Sequence, residues 1–285
     1  MKETAIHFTN VTSLNNPIMI AGFSGWGNAL DIAKGLMDYL IQKLYAEPIG
    51  HINSDMFYNY GDSRPIVHIE SGILTRITPP SGRFYLVKNP EGNDLILFRA
   101  DEPNLRWLFF IEELMSWCDR LHIHTIITLE SLYDHVLHTQ RKISAMASTK
   151  TMIERLKQKH IQLISYEGPS SIHSMIHAEC KKMQIQCINL WCHCPYYLEG
   201  INHYGLMASL VRLLGELIDF PIHADELENN WQTLLQQINT YIAKNPELME
   251  IIEQLQEHIQ SEFKDNQQSP SQKKVIQLKD YMNPK

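Results

Sequence analysis

Apolar positions follow two periods along this 285-residue chain, and they alternate in blocks up to about residue 220. The run 17–21 reads as a strand. It leads through Gly22-Phe-Ser-Gly25-Trp26-Gly27-Asn28 into Ala33, Leu36, Met37, Leu40, Ile41 and Leu44, whose spacing predicts a helix over 28–45. Short extended runs at 48–52, 66–77, 84–87 and 94–98 follow, separated by the turns Pro79-Pro80-Ser81-Gly82 and Asn89-Pro90-Glu91-Gly92-Asn93. Leu105, Leu108, Phe109, Leu114, Met115 and Leu121 mark a second helix, and the β-branched run 124–129 a buried strand. A third helix is predicted over 145–159, then a strand at 162–165 and, past Glu167-Gly168-Pro169-Ser170, a helix ending near Met183. A last strand spans 185–191, and Leu206, Leu210, Leu213, Leu214 and Leu217 stripe the helix after it.

Strands alternating with helices specify an α/β fold: a three-layer α/β/α arrangement around a mainly parallel mixed sheet, with the short strands of 66–98 as its antiparallel stretch. Beyond Pro221 the period is helical only. Leu227, Trp231, Leu234, Leu235, Ile238 and Ile242 form one stripe and Leu248, Ile252, Leu255 and Ile259 another, with Lys244-Asn245-Pro246 between them. That is a helical hairpin whose stripe needs a surface to bury it. The expected organisation is an α/β/α unit over 1–222, the hairpin over 223–264, and a polar, disordered tail over 265–285.

Composition narrows the function classes. An apolar share of 44% suits a packed core, and a formal net charge of −7 argues against a nucleic-acid or acidic-membrane binder, which needs a basic footprint. No apolar run approaches the roughly 18–20 residues that span a bilayer. The N-terminus lacks the basic-then-apolar layout of a signal peptide. Five cysteines, an odd number, read as reduced thiols, so the expected location is the cytoplasm.

The Gly22–Asn28 loop lies between a strand and a helix N-terminus. Gly22, Ser24, Gly25, Trp26, Gly27 and Asn28 form either a structural turn or a cradle for an anion or small ligand. The loop matches neither the dinucleotide fingerprint nor the P-loop, so no cofactor is called for. Trp26 is either a lid or a subunit contact, the latter favoured because aromatics are enriched at interfaces. Cys192-His193-Cys194 followed by His203 resembles a metal set. However, adjacent strand residues face opposite ways and the spacing does not suit zinc; the pattern instead predicts packed thiols and a solvent-facing imidazole, with no metal. His138 and Arg141, just past the carboxyl end of the 124–129 strand, and Glu167, past another strand, are the weak catalytic candidates. Their alternative is a polar loop that satisfies itself. Ser24 lacks a Gly-x-Ser-x-Gly setting.

Several stretches in order carry a family resemblance: Gly22-Phe-Ser-Gly25-Trp26-Gly27-Asn28-Ala29, Phe57-Tyr-Asn-Tyr60 with Arg64-Pro65, Glu102-Pro103 with Trp107, the segment 129–141, Tyr166-Glu-Gly-Pro169, and Leu190-Trp191 with Pro195-Tyr-Tyr197. Together, over about 15–220, they resemble the PAC2 family of proteasome-assembly-chaperone-like proteins. The resemblance implies a fold similar to the phosphorylase/hydrolase-like α/β/α proteins. It also implies a homo-oligomer, commonly a trimer, and chaperone work on a protein client. Leu137-His138-Thr139-Gln140-Arg141 carries one residue more than the family's Pro-His-Thr-Arg, and Pro195-Tyr196-Tyr197 replaces its Pro-His-Tyr. The second departure removes a histidine, which weighs against an enzyme. The terminal Tyr281-Met-Asn-Pro-Lys285 differs from the hydrophobic–tyrosine–any-residue tail of proteasome-docking members. The reading is therefore an assembly chaperone or scaffold with Trp26 and Trp231 at interfaces. The alternative is a nucleoside phosphorylase or hydrolase type of enzyme using the glycine loop as an anion cradle.

Overall fold

A computed structural model of the chain describes residues 5–9, 11 and 13–268. Among the described residues there are eleven strands: β1 (Ile6–Phe8), β2 (Ile18–Ser24), β3 (Glu47–Ile52), β4 (Ile66–Glu70), β5 (Ile73–Thr78), β6 (Gly82–Val87), β7 (Leu95–Asp101), β8 (Thr125–Asp134), β9 (Ile143–Ala147), β10 (Gln162–Leu163) and β11 (Gln186–Pro195). Nine of them form one sheet in the order β1-β3-β6-β7-β2-β8-β11-β9-β10. Its centre, β7-β2-β8-β11, is parallel, and β1, β3 and β6 continue it antiparallel on one side. The central strands are apolar on both faces, as strands covered by helices on each side must be.

One face packs under α1 (Ile32–Lys43), α4 (Lys150–Gln158), α6 (Tyr204–Ile218) and α7 (Asp225–Lys244), through a core that includes Leu36, Leu40, Ile127, Leu190, Leu210 and Leu214. The other packs under α2 (Ser54–Phe57), α3 (Trp107–Arg120) and α5 (Ile172–Met183), around Phe23, Phe98, Phe110, Ile126 and Ile176. The three-layer α/β/α architecture is thus as the periodicities imply. The last helix, α8 (Pro246–Gln268), completes the C-terminal hairpin and runs past residue 264. The expected tail lies, from 269 on, outside the described residues. No helix among the described residues is long and apolar enough to cross a membrane.

Three local expectations are corrected. Residues 145–147, expected to open the helix over 145–159, instead end β9 between β11 and β10, because sheet pairing overrides a weak propensity. The run 66–77 is not a strand of the main sheet. It folds back at Ser71-Gly72 into β4 and β5, a two-stranded sheet of its own. Strands β8 and β11 continue to Asp134 and Pro195, so residues expected in loops are held in register: Glu130 opposite Trp191, Asp134 opposite Pro195.

Candidate functional site

The carboxyl ends of β2, β7, β8 and β11 meet at one end of the sheet, the end at which open α/β sheets usually hold ligands. Two of the carboxylates there stand against the glycine loop. Glu102, directly after β7, accepts hydrogen bonds from the Trp26 amide at 3.2 Å and from the amide of Ile172, first residue of α5, at 2.9 Å. Glu130, on β8, accepts from Ser171 Oγ at 2.5 Å and from Asn189 Nδ2 at 2.7 Å. The Asn28 side chain accepts from the amides of Ala33 and Lys34 at 2.9 and 3.3 Å, capping α1 from outside its first turn. A helix N-terminus attracts negative charge and acceptors. Here the acceptors are the chain's own: Asn28 for α1, Glu102 for α5.

The glycines are fitted to these carboxylates. Gly25 has φ +142°, and a Cβ on it would stand 2.8 Å from Glu102 Cβ; a Cβ on Gly27 would stand 2.8 Å from Glu130 Oε1. Gly25→Ala is therefore expected to destabilise the fold by about 1–3 kcal/mol, from backbone strain together with displacement of Glu102. A lower urea midpoint at unchanged slope would measure it; an unshifted midpoint would mean that the loop relaxes freely. Gly22 is buried on β2 against Met37, and the Ser24 hydroxyl is buried without a hydrogen-bond partner. Trp26 projects from the turn with half of its surface exposed.

The weak catalytic candidates have other partners. Tyr197 OH accepts from the His138 amide at 2.7 Å and so donates to His138 Nδ1 at 2.8 Å, leaving Nε2–H to donate to Asn239 Oδ1 on α7 at 3.1 Å. Burial lowers the affinity of His138 for a second proton. Arg141 grips Glu228, also on α7, through two bonds of 2.7 and 2.6 Å. That pairing, with burial opposing it and Gln232 and Arg212 assisting, brings the Glu228 carboxyl down to about 2. His138 and Arg141 thus anchor the C-terminal hairpin, while Glu167 lies exposed on the loop before α5.

The PAC2 family model matches residues 19–242, which takes in the glycine loop, Glu102, Glu130, the His138–Arg141 segment and most of α7. This chain belongs to the PAC2 family. Among solved structures it is similar to a Mycobacterium tuberculosis proteasome-assembly chaperone homologue, with 26% identity over 82% of this chain and 99% of that one and a TM-score of 0.73. It is also similar to a PAC2 family protein from Streptomyces avermitilis, with 24% identity, coverage of 83% and 99%, and a TM-score of 0.71. An archaeal proteasome activator from Pyrococcus furiosus shares the fold, with 18% identity, coverage of 85% and 99%, and a TM-score of 0.67. A search of curated proteins finds no match.

Within this PAC2 chain, His193 corrects an expectation. Cys192 and Cys194 are packed in the α1/α6 core as expected, but the imidazole is buried rather than solvent-facing. His193 Nδ1 lies 2.8 Å from Asp134 Oδ2, and its Nε2 lies 2.7 Å from Ser144 Oγ. Burial lowers the His193 pKa against the opposing pull of Asp134; the Asp134 carboxyl, bonded by His193 and by Lys142 at 2.9 Å, stays well below the carboxylate range although burial opposes this. The atom order is that of a serine-hydrolase triad. A nucleophile must reach its substrate, however, and Ser144 is 2% and His193 1% exposed. The row satisfies three buried polar groups where β8, β9 and β11 meet. The extended β8 and β11 carry it, and a strand ending at Leu129 or Trp191 gave no sign of it.

Trp231, expected at an interface, is buried within the chain, its ring stacked 4.0 Å from His203.

Proposed function

We propose that this PAC2 protein works by protein–protein contact, as an assembly chaperone or scaffold for a protein client, in the cytoplasm and as a homo-oligomer. The observation that carries the reading is the contrast at the carboxyl end of the sheet. Inside, the amides of Trp26, Ala33 and Ile172 and the side chains of Ser171 and Asn189 already bond Glu102, Asn28 and Glu130, while the buried Ser24 hydroxyl is left without a partner. Outside, the same end presents large apolar side chains: Trp26, Tyr60, Leu105, and Leu108 at 77% exposure. Leu105 and Asn104 are tied by their amides to Phe57 O, and Trp26 to Glu102, so these groups stand on fixed backbone. Aromatic and aliphatic groups on a rigid frame are what a protein partner buries with least entropic cost. The relatives described as a proteasome-assembly chaperone homologue and a proteasome activator support the same reading.

The test pairs the wild type with Trp26→Ser/Leu108→Ser at native expression level. Affinity capture is expected to recover a defined client with the wild type and at least tenfold less with the variant, whose urea midpoint stays unchanged because both side chains are exposed. Equal recovery would defeat the proposal. So would a ligand panel of nucleosides, phosphate and ATP in which one member stabilises the protein by a few kcal/mol at about a hundredfold above its Kd.

A further inference from the structure

The β9–β10 edge of the sheet carries a cleft whose charge runs against that of the chain. It opens between the start of β9, the turn that joins α4 to β10, and one face of α6, and it holds about 460 Å³. Ile143 and Leu213, both buried, and the half-buried Ile161 floor it. Its walls are basic. Arg141 and Lys142 lead into β9, Lys159 and His160 form the turn, and Arg212 stands on α6 one turn from Glu216, the carboxylate among the lining residues. The chain as a whole has a formal net charge of −7.

The internal ion pairs do not exhaust this positive charge. Glu228 is shared between Arg141 and Arg212, the latter at 3.1 Å, while Lys159 pairs with Glu216 at 2.6 Å and Lys142 with Asp134 at 2.9 Å. Among the described residues, four cations thus meet three carboxylates, and one positive charge is left over. Arg212, Lys142 and Lys159 commit one N–H apiece, so most of their donors are unspent. The Arg141 and Lys159 side chains are only 26% and 25% exposed. Recessed cations over an apolar floor are screened less than charges on an open surface, and a cleft of that kind concentrates the field.

The build of the cleft selects among anions. A phosphate is held where free amides converge, at a helix N-terminus or in a nest. Here the carboxyl end of α4 reaches the cleft, the end that repels an anion. The amides of its turn are also used: those of Lys159 and Ile161 donate to Leu156 O at 3.1 and 3.0 Å, and that of His160 to Lys157 O at 2.9 Å. The cations come from three separate elements and line the walls without converging on one point. Donors spread along an apolar floor suit a string of carboxylates on aliphatic stems. The route in is open as well, since β10 is the last strand of the sheet and its outer side is unpaired among the described residues.

We propose that this cleft binds an acidic, extended segment of a protein partner, whose carboxylates engage Arg141, Lys142, Lys159 and Arg212. The proposal rests on the reading of this protein as one that works by protein contact, and it supplies the chemistry of a second contact, which shares no residue with the Trp26/Leu108 surface.

The experiment measures anisotropy of a fluorescein-labelled peptide of alternating glutamate and serine against the full chain. The expected result is saturable binding, at least tenfold tighter than for the glutamine–serine counterpart and at least fivefold weaker when salt is raised from about 50 to about 300 mM. Lys159→Glu/Arg212→Glu should lower the affinity at least tenfold. Lys159→Gln/Arg212→Gln, which adds no repulsion and should keep the circular-dichroism spectrum of the wild type, should lower it at least threefold. Failure to saturate below about 1 mM, equal binding of the glutamine peptide, or unchanged affinity in the glutamine variant would each overturn the proposal. So would inorganic pyrophosphate displacing the labelled peptide at a lower concentration than unlabelled peptide does, the mark of a small-anion site. Trp26→Ser/Leu108→Ser should bind the peptide as the wild type does, which keeps the two readings apart. Client capture without peptide binding would defeat the cleft alone, and peptide binding without client capture would defeat the functional reading while the cleft stands.

Discussion

Trp231→Ala is expected to cost about 3–5 kcal/mol of stability, the largest effect of any single substitution considered for this chain. The indole is 2% exposed and belongs to the same core as Leu36, Leu210 and Leu214, although it comes from the C-terminal hairpin. Its removal leaves a cavity between α6 and α7 and uncovers His203, against which it stacks at an interplanar angle of 11°. The polar ties of α7, among them the Arg141–Glu228 pair and the His138–Asn239 bond, are partly solvent-accessible and are expected to compensate little. Leu227 and Ile238 share the core as well, so wild-type unfolding in urea, followed at 222 nm, should be one transition. The variant should show a lowered midpoint and faster proteolysis near residues 220–224, the connection between α6 and α7. An unchanged midpoint would place α7 outside the cooperative unit.

The same residue shows where sequence reasoning stops. The period of Leu227, Trp231 and Ile238 located a helix with an apolar stripe, yet a stripe does not say which surface covers it, and its large aromatic pointed equally well to a neighbouring subunit. The central strands were legible because burial on both faces leaves continuous apolar runs, as in 124–129 and 185–191. Their carboxyl-terminal extensions were not: Glu130, Asp134 and His193 are polar, and only pairing with adjacent strands keeps them extended. β9 failed for a related reason, since Ala145, Met146 and Ala147 run on into the helical stripe until β11 and β10 take them between themselves. The glycine loop was legible as a strand-to-helix turn. Its partners were not, for Glu102 lies 76 residues away from Trp26 in sequence. Of the residues picked for chemistry, His138 and Arg141 sat in the right polar segment, and what decides their role is Asn239 and Glu228 on a helix about a hundred residues later.

Acidification from pH 6.5 towards 4 is expected to destabilise this protein by about 3 kcal/mol through His203 alone. The imidazole donates from Nε2 to His138 O at 3.1 Å and accepts at Nδ1 from the Leu206 amide at 3.1 Å, so it caps α6 as a single neutral tautomer. A second proton on Nδ1 would face an N–H. Burial, outweighing the pull of the backbone carbonyls and seconded by the charges of Arg141 and His138, brings the group to about 4 from 6.5. The sign follows from proton counting. Between those values the unfolded chain binds a proton that the folded chain refuses, so stability is fully present above pH 6.5 and falls as pH drops through the window. His138 and His193, also lowered by burial, add slope of the same sign, whereas Glu228 loses its contribution only below about 4.5. Urea midpoints at pH 7.5, 5.5 and 4.5 measure the slope. His203→Gln should start less stable at pH 7.5, having lost its cap, yet decline less steeply, by up to one proton's worth. Parallel declines in the two proteins would show that the acid sensitivity arises elsewhere. Because His203 stacks on Trp231 and holds His138 through its carbonyl, its protonation is expected to loosen α7 first, and faster proteolysis at 220–224 should precede the loss of β-sheet signal as pH falls.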